Sequence, residues 1–558
     1  MWLLLLLARV YAAPTTSFLV DVGLAPRPQT LALASVFTRV VGERCNSAVA
    51  VNASGLVCAG APLSAAPYAI LLRLDGGLGA EAFAISPCAA AGGVLIEGGD
   101  DLGLVYALGE FLHTSTFEEG GVIPSPWRGA GKPRAAGSMR AAYLATHFYN
   151  FFQAAPPDRV AAYVEDLALW GLNTVLVTIP LQQFTGLADP ALAALLSLQH
   201  TIFASSKAVG LRVGLILVPN QGFSTRASSI SYTPFPDPLG VRGHLGFLTC
   251  AHVGRSYLED ANSALLANFS QLDTLLFWPY DEGGCGCKND WPWGARGFPA
   301  LSSDVLLGAR ARFGAGLHAV LSTWMFDQPP AGEFDGLDAL LRANATPPFD
   351  AVMADNHGDF PPWPLTHGGA PGGLPLYNFP EISMWGRNPW GGFGANPLPG
   401  RFQSLWDETK GLVTGGAPYS EGIYNDINLV VAVRHYWDGA AAVDTVAAYA
   451  AFEFGAASVA PVTAAIALLE GNWPNDRVSP SALNASAALE AVDAALPGKQ
   501  ASAWRWRQLL LRARIDVRLL ANSGRVTCSD TLMVAAFKEL AAMYYASSAF
   551  PAVRPPCT

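Results

Sequence analysis

TLLFWPYDEGGCGCKNDWPWGARGF, residues 274–298, is the stretch on which the fold of this chain turns. Its first five residues, Thr274–Trp278, form an apolar run of the kind that makes a strand buried on both faces. The run passes through Pro279 and Tyr280 into adjacent acids, Asp281 and Glu282, and then into a loop of glycines and cysteines. A buried strand that ends in carboxylates suits a parallel sheet whose chemistry sits at the carboxyl ends of its strands. Neighbouring side chains on an extended backbone point to opposite faces, so both acids reach one site only where the chain turns. Gly283 and Gly284 permit that turn. A carboxyl group beside Trp278, Tyr280, Trp291 and Trp293 loses solvation, which raises its pKa and suits a general acid.

The same strand-then-helix unit repeats on either side. Strands are expected at Arg140–Thr146, Asn173–Ile179, Arg212–Val218, His318–Thr323, Ala351–Ala354, Leu374–Asn378 and a short segment ending in Pro418–Glu421. Helical spacing separates them at Pro157–Trp170, Pro190–Val209, Leu258–Leu272, Leu301–Phe313, Pro399–Thr409 and Asp426–Tyr436. Eight strands alternating with helices over about 300 residues predict a (β/α)8 TIM barrel, here 139–440. An open doubly wound sheet would want a Gly-rich phosphate loop after its first strand, and none is present. Before the barrel, 15–135 reads as a small α+β domain, with Arg128–Gly137 as a linker. After it, 441–558 is Ala-rich at helical spacing and reads as a helical C-terminal region.

Composition narrows the function classes. The 558 residues carry 34 basic and 44 acidic side chains, a net charge of −10, with no basic run, which excludes a nucleic-acid binder. Aromatic residues at 11% exclude a disordered chain. Mean hydropathy is +0.28. No apolar run of membrane-spanning length follows the N-terminus, so no stable membrane insertion is expected. MWLLLLLARVYAAP reads as a signal peptide over residues 1–13. Sequons at Asn52, Asn268, Asn344 and Asn484 agree with a secreted or endomembrane-lumen (extracellular or lysosome-like) protein. Eight cysteines permit disulfides, with Cys45–Cys58 and Cys528–Cys557 as local pairs. Cys285, Cys287 and Asp290, with Cys250, suit either part of a zinc site or a disulfide from Cys250, and spacing does not choose between them. No metal or cofactor enters the expected chemistry.

The remaining strand ends carry hydroxyl-binding and stacking residues. His147 and Asn150 follow the first strand, Gln182 and Gln183 the second, Asn220 and Gln221 the third, and Trp324 the fifth. Asp355, His357 and Asp359 alternate after the sixth, a spacing that suits either a divalent metal or sugar hydroxyls, of which the hydroxyl reading is preferred. Trp385, Trp390 and Phe393 lie among Gly and Pro after the seventh, a costly set to expose without a ligand. Tyr419 and Glu421 end the last. These residues, with Tyr280, form the expected carbohydrate-binding set, and the partner is a glycan non-reducing end. The serine-hydrolase elbow and the H-E-x-x-H motif are absent.

The unit ending in GLVYALGEFL, Gly103–Leu112, resembles the domain before the barrel in β-N-acetylhexosaminidases of glycoside hydrolase family 20. Related domains precede the barrels of family 67 α-glucuronidases. The Asp281-Glu282 pair after the fourth strand is similar to the family 20 catalytic pair. The resemblance implies Glu282 as general acid/base. It implies Asp281 as the residue that orients the substrate acetamido group, which is the nucleophile. It also places Tyr419 and Glu421 where that family binds sugar hydroxyls and the acetamide. It spans residues 15–440 in architecture, with close motif agreement near 95–112 and 277–284. The approach to the acids departs from the family: Trp278-Pro279-Tyr280 stands before them, and the DEGGCGC loop is closer to uncharacterised barrel proteins with a Cys-x-Cys-x-x-Cys loop. Asp290 holds the third Cys position here.

The expected function is therefore a secreted exo-acting glycoside hydrolase that removes terminal N-acetylhexosamine by a retaining, substrate-assisted mechanism. The rivals are an α-glucuronidase-like inverting exo-glycosidase and an inactive carbohydrate-binding barrel. In the first rival Asp355, Glu381 or Glu421 would be the base, and Arg387 would meet the uronate.

Overall fold

The computed structural model describes residues 17–58, 67–230, 249–279, 287–327, 331–354, 360–380, 395–472 and 478–545. Its centre is a curled, wholly parallel sheet of nine strand segments. In chain order these are β9 (Ala141–Leu144), β10 (Thr174–Thr178), β11 (Arg212–Leu217), β12 (Thr274–Phe277), β13 (His318–Ser322), β14 (Ala351–Ala354), β15 (Leu376–Asn378), β16 (Val413–Gly416) and β17 (Tyr419–Ser420). Each of β9 to β15 pairs with the next, and β17 pairs with β9, so the sheet curls back on its first strand. A bridge between Arg140 and Gly416 lies on the same seam. Small residues make the seam possible: a Cβ on Gly415 would stand 2.1 Å from the Met139 carbonyl oxygen. Helices over the outer face leave both faces dry, and every residue of β9, β10, β12 and β14 is buried. Such double burial explains why these strands read as continuous apolar runs. Helix starts follow local chemistry too. Asp189 caps Pro190–Ala208 by accepting from Ala191 N at 2.9 Å, with Pro190 in the first turn.

The chain before this sheet folds into a second, mixed sheet. It comprises β1 (Ser17–Asp21), β2 (Ala48–Asn52), β3 (Tyr68–Leu74), β4 (Phe83–Cys88), β5 (Gly93–Gly98) and β8 (Gly129–Gly131), in the order β2-β1-β3-β5-β4-β8. A small ribbon of β6 (Thr116–Glu118) and β7 (Gly121–Ile123) stands apart. Residues 128–137 are therefore not simply a linker, because Gly129–Gly131 pairs antiparallel with Phe83–Ile85. This layer meets the amino ends of the curled strands through a buried polar knot. Arg140, before β9, donates to Glu81 Oε2 at 3.0 Å, to the Tyr106 hydroxyl at 3.0 Å and to the Gly171 carbonyl at 2.8 Å. Arg212, at the start of β11, and Asn173, before β10, donate to Glu81 Oε1 at 2.9 and 3.1 Å. The knot plugs the end of the sheet opposite the carboxyl ends of its strands.

Residues after 441 are helical among the described residues. The long helix Trp504–Ala521 docks through two buried arginines. Arg505 pairs with Asp166 and Asp426 at 2.8 Å each, joining three helices. Arg512 donates to Asp516 and to the carbonyls of Ala395 and Leu469.

One of the two expected local disulfides, Cys45–Cys58, does not form; the other, Cys528–Cys557, involves Cys557, which lies outside the described residues. Cys58 bonds Cys88 across the N-terminal sheet, while Cys45 remains a buried thiol that donates to the Val41 carbonyl. Cys45 sits at the end of helix Pro28–Arg44, and helix packing rather than sequence proximity decides its fate. Cys528 and Cys250 are disulfide-bonded to partners outside the described residues.

Candidate active site

The carboxyl ends of the curled strands deliver a continuous aromatic floor. Tyr143 of β9, Trp278 after β12, Trp324 after β13, Phe379 after β15 and Tyr419 of β17 meet at ring-centroid distances of 5.1 to 6.2 Å. Most contacts are edge-to-face or tilted, the arrangements that the ring quadrupole favours. The floor follows from strand geometry. Trp278 and Phe379 are the first residues beyond β12 and β15, Trp324 is the second beyond β13, and Tyr143 and Tyr419 lie within their short strands, so rings gather at one end of the curled sheet. Trp324 is only 3% exposed, so it supports the floor more than it faces the mouth.

Polar groups stand around that floor. His147, after β9, lies with its Nδ1 3.5 Å from the Tyr143 hydroxyl. Burial lowers its pKa to about 4, so it is neutral near pH 7 and acts as a hydrogen-bonding group, not a proton donor of useful strength. The Tyr419 hydroxyl donates to Glu421 Oε1 at 2.9 Å. The Glu421 backbone is held in turn, its N–H by Asn425 at 2.9 Å and its carbonyl by the Tyr544 hydroxyl at 2.5 Å. The C-terminal region thus reaches the rim of the site.

Asn220, after β11, is completely buried, and neither its amide nitrogen nor its amide oxygen meets a hydrogen-bond partner. The hydroxyl of Thr249, whose N–H donates to the Asn220 carbonyl at 2.9 Å, is also buried and unpaired. Unsatisfied buried amides are rare and cost about 1–3 kcal/mol each, which points to a ligand.

Three of the other amides expected to bind hydroxyls spend hydrogen bonds on the backbone. Asn150 accepts from Phe152 N at 3.0 Å and caps the short helix Phe151–Ala154. Gln221 Oε1 accepts from Leu181 N at 2.8 Å, and Gln183 donates to the His147 carbonyl at 3.2 Å.

Among the described residues, His147, Trp324, Tyr419 and Glu421 meet at or beside the floor, and Asn220 follows β11, the strand next to β12. Tyr280, Asp281, Glu282, Asp355, His357, Trp385 and Trp390 lie outside the described residues, as do Asp359, Glu381, Arg387 and Phe393. In sequence, each of these lies in the segment that follows β12, β14 or β15. Tyr143 and Phe379 were missed in the sequence. Their signal was an aromatic ring at a strand's inward end, which ordinary core packing also produces.

The sequence matches no protein-family model and no curated protein. The fold is similar to that of a family 138 glycoside hydrolase targeting pectin rhamnogalacturonan II. The TM-score is 0.56 at 10% identity, over 95% of this chain and 74% of that one. It is also similar to a family 89 enzyme from Clostridium perfringens, solved with its substrate GlcNAc-α-1,4-galactose. There the TM-score is 0.57 at 12% identity, over 85% of this chain and 61% of that one, so the chain spans less than two thirds of that enzyme. A family 20 β-N-acetylglucosaminidase matches at a TM-score of 0.47 and 14% identity, over 79% of this chain and 92% of that one. The likeness is one of glycoside hydrolase fold, and it does not single out family 20.

Proposed function

We propose that this chain is an exo-acting glycoside hydrolase that releases terminal N-acetylhexosamine by substrate assistance. The observation that supports this reading is the aromatic floor at the strand ends, together with the buried, unpaired amide of Asn220 after the neighbouring strand β11. Rings offer faces to a pyranose, and the amide offers one donor and one acceptor to hydroxyls. In this reading β16 and β17 count as one interrupted strand, which makes the curled sheet a (β/α)8 barrel over 139–440. The units 15–135 and 441–558 flank it, and residues 1–13 are a secretory leader.

Glu282 protonates the leaving oxygen, and Asp281 holds the acetamide, so no enzyme nucleophile is needed. Glu421, fixed by Tyr419, clamps a sugar hydroxyl. The hydrogen bond that fixes Glu421 to Tyr419 supports a second reading: an inverting exo-glycosidase in which Glu421 is the base that activates water and Glu282 the acid.

Purified protein should be offered aryl α- and β-N-acetylglucosaminides, β-N-acetylgalactosaminide and α-glucuronide, with Glu282→Gln as control. Cleavage of an N-acetyl substrate with a retained anomer, lost in the variant, is expected. Cleavage with inversion moves the assignment to the Glu421 reading. A folded protein that cleaves none of them while binding glycans refutes both.

A further inference from the structure

Three side chains from two separate segments converge beside the sequence that carries the acid pair. Helix Ala251–Leu266 presents His252 in its first turn, and the segment after the Asp281-Glu282 loop presents Cys287 and Asp290. Cys287 Sγ lies 3.0 Å from His252 Nδ1 and 3.4 Å from Asp290 Oδ2. His252 Nδ1 lies 3.1 Å from the same carboxylate oxygen. Metal bonds of about 2.3 Å to sulfur and 2.0–2.2 Å to nitrogen or oxygen set edges of about 3.4–3.6 Å between tetrahedral ligands. The three atoms therefore need to separate by only about 0.2–0.6 Å to hold a zinc-sized ion.

Charge and support agree with that geometry. Asp290 is 5% exposed, and among the described residues its ion-pair partner is His252, with no Lys or Arg beside it. A divalent ion with one thiolate and one carboxylate is electroneutral, which removes the cost of a buried carboxylate. The His252 backbone N–H donates to Asp290 Oδ2 at 3.3 Å and orients it. His252 and Cys287 are each partly exposed, which gives the ion a path in.

The Cys250 sulfur lies within 4.8 Å of both Cys287 Sγ and an Asp290 carboxylate oxygen. It is disulfide-bonded and so supplies no thiolate.

We propose that His252 Nδ1, Cys287 Sγ and Asp290 Oδ2 form a three-ligand site for a zinc-type divalent ion. Binding releases the Cys287 thiol proton to solvent, leaves the His252 proton on Nε2, and ties the segment after the acid pair to the helix that follows β11. The fourth position remains open to water, as it does in sites with three protein ligands. Cys287 begins five residues after Glu282 in sequence, so the ion would anchor the far end of the acid-bearing loop.

The full chain, kept non-reduced and stripped with a chelator, should be titrated with Co2+. A thiolate-to-cobalt charge-transfer band at one equivalent is expected, with Zn2+ displacing it. Bound metal should also protect one thiol from an aromatic disulfide reagent; Cys45 is buried and does not contribute. Cys287→Ser should abolish the band, and His252→Gln, at a partly exposed position, should weaken binding at least about tenfold. Circular dichroism checks that both variants fold. No band in the folded wild type, or a band that survives Cys287→Ser, overturns the proposal. So does a Cys250–Cys287 disulfide in non-reducing peptide maps.

Discussion

Asn220 shows at the scale of one residue how an unpaired buried amide differs from a structural one. Asn150, Gln221 and Asn220 are all buried amides at strand ends, but only the first two spend their hydrogen bonds on the backbone. Asn220→Ala removes an unsatisfied pair without breaking a side-chain bond. Its unfolding free energy should stay level or rise, while kcat/KM should fall about tenfold, the worth of one or two lost hydrogen bonds to substrate. Parallel denaturation and kinetic measurements check both halves; a large loss of stability would make Asn220 structural instead. Asn220 was legible as a candidate because it follows a buried strand. That its amide would be left unpaired was not legible, since the neighbours that satisfy Gln221 lie 40 residues away.

Among elements, the helix Asp101–His113 is the hinge of the N-terminal layer. Asp100 caps it by accepting from Gly103 N at 2.8 Å, and its second oxygen accepts from Glu81 N at 3.0 Å. One carboxylate thus starts a helix and fixes the backbone of the residue at the centre of the interdomain knot. Asp100→Ala should cost about 1–2 kcal/mol, read as a lowered denaturant midpoint at constant slope. A strand such as β14 was readable end to end, because burial on both faces leaves an apolar run. The strand β8, Gly-Ala-Gly, was not, because only pairing with β4 makes it a strand. Helix Ala251–Leu266 starts well before its apolar spacing does, and that is why His252 went unmarked as a neighbour of Cys287 and Asp290.

For the whole molecule, the joint between layers and the buried histidines set stability. Glu81 and Arg140 are each 1% exposed and hydrogen-bonded, so Glu81→Gln leaves a buried guanidinium uncompensated. It should cost about 3–5 kcal/mol in urea unfolding, whereas an exposed pair such as Lys410–Asp407 should cost almost nothing. Burial holds His147 and His435 at about 4, down from 6.5, and takes His113 well below its ordinary value. Unfolding returns them to the ordinary value, so between 6.5 and 4 the unfolded chain binds protons that the folded chain does not. Stability must therefore fall as the pH drops through that window and level off above it. Thermal melts across the window should show this slope, and His435→Gln should flatten it. A melting temperature independent of pH there would contradict the burial of these rings.

The sequence by itself determined the alternation of strand and helix, the placing of acids, amides and rings at strand ends, and the separate N-terminal and C-terminal regions. These are local properties: apolar runs, helical spacing, and turn residues act over a few positions. Only the tertiary structure decided which cysteines pair, which amides are left unpaired, how rings from five strand ends join into one floor, and that His252 meets Cys287 and Asp290. Those outcomes depend on distances between residues far apart in the chain, which close when the sheet curls and its helices pack.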